Sequence, residues 1–62
     1  MNEIEAWLAR DENERLYLYL IEPQKVIGQW IGVKYIRLGS AFFPEIKWSD
    51  EEPTKVSITI KK

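Results

Sequence analysis

The chain has 62 residues, 45% of them hydrophobic and eight of them aromatic, and a net charge of −1. That is enough for one small domain, which buries only about 60% of the surface its unfolded chain exposes and so depends on tight packing or association. With no cysteine and no histidine, disulfides, the usual zinc and copper sites, and histidine- or cysteine-based catalysis are excluded, leaving a hard cation on carboxylates as the one metal chemistry open.

The chain opens Met1-Asn2-Glu3-Ile4-Glu5, with acids where a secretory leader carries bases, and no apolar leader segment follows. No apolar run is long enough to span a bilayer. These features, with the lack of cysteine, point to a soluble, unprocessed protein of the cytoplasm. Residues 1–22 hold six acids and two bases, and residues 23–48 hold four bases and one acid. A fold mixes these segments in space, and the small net charge argues against a dedicated nucleic-acid binder.

Glu3–Arg10 reads as a helix capped by Asn2 and Glu5, or as a strand in which Ile4, Ala6 and Leu8 alternate with Glu3, Glu5 and Trp7. The next segment favours the strand. Arg15–Ile21 has period two, with Leu16, Leu18 and Leu20 on one face and Tyr17 and Tyr19 on the other. A three-residue loop Asp11-Glu12-Asn13, with Asn13 in the left-handed region, joins the two as a hairpin. This places Arg10 opposite Glu14, Leu8 opposite Leu16, Ala6 opposite Leu18 and Ile4 opposite Leu20. On the other face Trp7 meets Tyr17 and Glu5 meets Tyr19.

Glu22-Pro23-Gln24-Lys25 is expected to break the sheet, because proline cannot donate within a central ladder. Strands are expected over 26–31 and 33–38, with Gly32 as a bulge or turn. In the second, Val33, Tyr35 and Arg37 face one way, and Lys34, Ile36 and Leu38 the other. Ser40 is suited to cap at most one short helical turn, near residues 40–43, ending before Pro44. Ile46 and Trp48 suggest a short extended piece, and Ser49–Pro53 a polar loop. Thr54–Ile60 reads as a last strand with Val56, Ile58 and Ile60 inward, and Lys61 and Lys62 as a tail. The fold class expected is mainly β: a small antiparallel sheet of about four to five strands, as a meander or partly open barrel, in a single domain.

The candidate interaction face is Trp7, Tyr17 and Tyr19. These rings share the sheet face opposite the leucines, where they would dock a partner, stack bases, or simply stabilise the hairpin. A further reading makes this face the core. Asp50-Glu51-Glu52 lacks the alternating ligands and turning glycine of a calcium loop. Lys25, Lys34, Arg37 and Lys47 amount to ordinary surface charge. Ser40, Ser49 and Ser57 have no activating neighbour, and the glycines lack phosphate-loop spacing.

Three stretches carry a resemblance: Glu5–Asp11, Leu16–Tyr19 and Phe43–Pro53. Together they resemble a group of short uncharacterised proteins of gut Bacteroides-type bacteria and their phages or mobile elements. In that group a glycine often stands at the position of Asn13, which suits a left-handed turn. The resemblance implies a bacterial cytosolic domain and assigns no activity, cofactor or site residue. The functional reading is therefore a small non-catalytic protein-interaction module that self-associates as a homodimer or binds another protein. It needs no cofactor, metal, small-molecule substrate or membrane. The alternative is a single-stranded nucleic-acid binder using the aromatic sheet face.

Overall fold

The computed structural model describes residues 2–60. Six strands form: β1 (Asn2–Arg10), β2 (Leu16–Tyr19), β3 (Gln24–Val26), β4 (Gln29–Ile31), β5 (Tyr35–Leu38) and β6 (Thr54–Ile60). Four of them make an antiparallel sheet in the order β5-β2-β1-β6, while β3 and β4 pair separately as a hairpin. The mainly β class and the N-terminal hairpin are as the alternation implied, and the described residues contain no helix. The helix reading of 3–10 is set aside by the seven-residue ladder between β1 and β6. Lys61 and Lys62 lie outside the described residues.

β1 is a central strand with a neighbour on each side. The two ladders overlap only at Trp7 and Leu8. Leu8, Ala9, Arg10 and the following Asp11 are buried in succession, although they point to alternate faces, because Ile46 and its turns cover one face at this end and Trp30 covers the other. One face carries Ile4, Ala6, Leu8 and Arg10 of β1, and the pairing brings Leu16 and Leu18 of β2, Ile36 and Leu38 of β5, and Val56 and Ile58 of β6 beside them. A single row across this face reads Ile36, Leu18, Leu8, Thr54. The row on the opposite face reads Tyr35, Tyr19, Trp7, Lys55.

The hairpin register differs from the expected one. Arg10 pairs with Leu16, Ala9 with Tyr17, Leu8 with Leu18 and Trp7 with Tyr19. The turn type is the anticipated one, placed one residue later. Asp11 N–H donates to Arg15 O at 2.9 Å, Glu14 N–H donates to Asp11 O at 2.9 Å, and Glu14 rather than Asn13 takes the left-handed conformation, with φ +72°. Asn13 instead accepts the Arg15 N–H through Oδ1 at 3.0 Å. Moving a turn by one residue shifts the pairing by two, so every side chain keeps its face.

Two further expectations are corrected. The span 26–31 is not one strand: with Gln24 and Lys25, which were expected to lie in a break, it forms the β3–β4 hairpin, which pairs outside the main sheet and turns at Ile27-Gly28, where Gly28 has φ +83°. A left-handed residue at that point of a two-residue loop is glycine's natural place. Residues 39–50 form three successive β-turns, with neither a helical turn at 40–43 nor an extended piece at 46–48. Phe42 N–H donates to Gly39 O, Ile46 N–H to Phe43 O, and Asp50 N–H to Lys47 O, at 3.0–3.1 Å. This chain of turns leads from one sheet edge, β5, to the other, β6.

The turn segment also supplies both small cores. Ile46 clusters with Leu8 and Leu16 on the leucine side, where Leu18, Leu38 and Val56 pack against them. Trp48, two residues on, packs against the cluster of Ala9, Tyr19 and Trp30 on the aromatic side, with Trp7 and Tyr17.

Candidate interaction surface

The aromatic side is largely covered. Trp30, at the centre of β4, is buried together with Ala9 and Tyr19. Ala9 has no side chain beyond Cβ to hold the hairpin away, so the indole settles close to β1. Two polar contacts fix its position. The Trp30 N–H donates to Asp11 Oδ1 at 2.8 Å, and the Tyr19 hydroxyl donates to Trp30 O at 3.4 Å, a long bond. The Trp30 Nε1–H is sealed and has no partner among the described residues.

Lys25 of β3 stabilises the same side. Its ammonium donates to Trp48 O at 2.6 Å and to Asp50 O at 2.8 Å, and it stands 4.1 Å from the Trp48 ring centre, in cation–π range. So one member of the anticipated basic stretch holds the turn segment against the hairpin. Asp50 of the acidic loop caps its own turn, its Oδ2 accepting the Lys47 N–H at 3.0 Å.

Of the three aromatic residues singled out from the sequence, Tyr19 is buried, and Trp7 and Tyr17 are half-buried. They do share one face. Tyr17 and Tyr19 stack at a tilt, 6.1 Å between ring centres, and Tyr35 of β5 completes a triangle at 5.5 and 5.8 Å. Burial, with the nearby Asp11 carboxylate adding to it, pushes the Tyr19 phenol up to about 12, so the hydroxyl stays protonated and available as a donor. Tyr35 was legible as a strand residue on this face, but its place in the triangle required the pairing of β5 with β2.

The leucine side is covered at one end only. There Arg10, itself buried, organises the turns. Its Nε donates to Ile46 O at 2.6 Å. One terminal nitrogen donates to Glu14 O and Ser40 O at 2.8 and 2.9 Å, and the other to Phe42 O and Phe43 O at 2.9 and 3.2 Å. A guanidinium has five N–H donors, and here all five meet main-chain carbonyls. The open depression of about 420 Å³ beside it therefore has no free guanidinium donor to offer an anion.

Away from Ile46 the leucine face is open. Ile4, Leu20 and Ile36 are 39%, 39% and 55% exposed, beside half-buried Leu18, Val56 and Ile58. Ile4 stands opposite Ile58, and Leu18 opposite Ile36. Ile36, Leu18, Ile4 and Ile58 thus place apolar side chains of this face on each of the four strands, and none of the side chains named here is charged. The sequence marked Ile4, Leu18 and Leu20 as one apolar face and Val56 and Ile58 as inward, and placed Ile36 on a face shared with Lys34 and Leu38. It carried no signal that their cover reaches only the Arg10 end.

Comparison of the chain with protein-family models, with curated proteins and with solved structures returned no match. The geometry alone carries the functional reading.

Proposed function

We propose that the protein is a non-catalytic interaction module that docks through the open half of its leucine face, and that the occupant of that face is a second copy of the chain. The observation that carries this reading is the set of partly exposed apolar side chains on this face, Ile4, Leu18, Leu20, Ile36, Val56 and Ile58, none of them charged. Patches of this kind on small domains mark association sites. A two-fold dimer brings the same patch from each subunit together, so no charge must be matched or desolvated. A standard interface hides about 800 Å² per partner, close to one sixth of the 4771 Å² this chain exposes. A domain with so few fully buried side chains gains most from such cover.

The measurement is the mass in solution by light scattering or sedimentation at high micromolar concentration. The expected result is twice the mass of one chain for the wild type and a single-chain mass for Ile36→Lys, with the far-ultraviolet spectrum unchanged. Ile36 is mostly exposed in the single chain, so the lysine finds solvent there without disturbing the fold. A wild type that stays monomeric, or an Ile36→Lys variant that stays dimeric, overturns this assignment.

A further inference from the structure

A second feature, independent of the leucine face, lies between the β3–β4 hairpin and the aromatic side of the sheet. It is a cleft of about 180 Å³ whose walls include Asp11, Tyr17, Tyr19, Gln29, Trp30 and Tyr35. Taking liquid water at ~30 Å³ per molecule, it holds about six waters, which is room for a head group of a few heavy atoms.

The chemistry of its walls is one-sided. The sole ionised group among them is Asp11. Among the described residues, Asp11 forms no ion pair within 4 Å. Its Oδ1 is engaged by the Trp30 N–H. A buried carboxylate without a counter-charge costs stability unless something cationic or well hydrated sits beside it. The remaining walls are mostly electron-rich rings. Three tyrosines lie within 5.5–6.1 Å of one another, and Tyr35 is 56% exposed at the mouth. Aromatic rings around an anionic group make the combination that recognises ammonium and guanidinium head groups. An anion would meet the carboxylate and no compensating positive side chain. Gly32 also lines the cleft, and a side chain there would press on Tyr19, with an added Cβ only 2.9 Å from Tyr19 Cδ1.

We infer that this cleft binds a small organic cation, with its positive centre beside the Asp11 carboxylate and its hydrocarbon or planar surface against Tyr17 and Tyr35. Asp11 supplies the charge and the tyrosines supply selectivity for polarisable, weakly hydrated cations over sodium.

The test is a titration of the full chain with tetramethylammonium chloride and, separately, with acetyl-arginine methylamide. Sodium chloride holds the ionic strength constant, and binding is followed by amide NMR and tyrosine fluorescence. The expected result is saturable shifts at Trp30, Gly32 and Tyr35 with one or both cations, and none with the uncharged isostere tert-butanol. The probe that binds more tightly tells a free alkylammonium from a guanidinium carried on a side chain. Asp11→Asn keeps an acceptor for the Trp30 N–H and removes the charge, so it should weaken binding about tenfold or more, and Tyr35→Leu about three- to fivefold. Should Asp11→Asn fail to fold, Tyr35→Leu, altered at an exposed ring, decides alone. Shifts that never saturate, that tert-butanol reproduces, or that both variants leave unchanged would overturn the assignment.

Discussion

The two faces of the central sheet are built from the same strands and closed in different ways. The aromatic side is covered by side chains: a hairpin lays Trp30 over Ala9 and Tyr19, and Trp48 packs in beside it. The leucine side is closed at one end by a turn segment that contributes one buried side chain, Ile46, and is held there through its main chain, with a single guanidinium gathering the carbonyls of Glu14, Ser40, Phe42, Phe43 and Ile46. Rings bring area, so a hairpin of three-residue strands is enough to cover most of one face. Carbonyls bring none, so beyond Ile46 the other face stays open. The difference teaches that in a chain this short the polar anchor decides where the core ends.

That contrast is tested hardest by removing the two cationic anchors in turn. Arg10→Met leaves one buried and four partly buried carbonyls without their donor and frees the turns that carry Ile46. Hydrogen bonds to charged groups contribute roughly 1.5–3 kcal/mol each and are not additive, so a loss of at least ~3 kcal/mol is expected. A domain of this length has only ~3–9 kcal/mol in total, so the variant should be largely unfolded in urea titrations at 25 °C. Arg10→Lys should rescue little, since an ammonium has three donors on a different geometry. Lys25→Met, on the aromatic side, removes two carbonyl contacts from a half-exposed ammonium and should cost about 1–2 kcal/mol. If Lys25→Met proves the more damaging, the two sides have been assigned the wrong kinds of anchor.

A smaller effect separates the sides by how tightly each is packed. Gly32→Ala sets a Cβ 2.9 Å from Tyr19 Cδ1, 3.2 Å from Cε1 and 3.4 Å from the Pro23 backbone. Tyr19 is buried and cannot swing away, so overpacking should cost about 1–3 kcal/mol. Gly39→Ala approaches the Phe42 ring at 3.1 Å, a contact of similar closeness on paper. Phe42 is mostly exposed and can turn aside, so the loss should stay within ~0.5 kcal/mol. Midpoints of chemical denaturation for the pair give the comparison, and equal losses would mean the turn segment is as rigid as the hairpin side.

Much of this was written in the alternation, and the remainder was not for identifiable reasons. Leu16, Leu18 and Leu20 against Tyr17 and Tyr19 fix two faces, and Thr54–Ile60 fixes the last strand to the residue. The register is invisible to such a pattern, because a shift of two leaves every residue on its face. What selects it is long-range: Arg10 must reach residues 40–46 and Asp11 must reach the Trp30 N–H. The turn at Ile27-Gly28 was hidden inside a β-branched run, and Ile27, fully exposed at its tip, obeys no local rule. For the candidate site, the sequence placed Trp7, Tyr17 and Tyr19 together but held no sign that Trp30 would fold back over Tyr19. It marked Ile4, Ile36 and Ile58 as apolar without revealing that Ile4 and Ile36 stay exposed and Ile58 only half-buried.

The smallest expected effect concerns the turn that sets both faces in register. Glu14 stands at φ +72°, a conformation that disfavours any side chain. Glu14→Gly should stabilise the protein by ~0.5–1 kcal/mol, because the strain relieved exceeds the freedom gained in the unfolded chain. Asn13→Gly should do the reverse, by about 0.5 kcal/mol, because it deletes the Oδ1 acceptor of the Arg15 N–H and adds chain entropy without relieving strain. Had the turn closed one residue earlier, with Asn13 left-handed, the two signs would be exchanged. Thermal midpoints of the two variants therefore read the register directly. A gain at position 13 with a loss at position 14 would return Leu8 to Leu16, take Arg10 from its place opposite Leu16, and undo the contrast between the two faces.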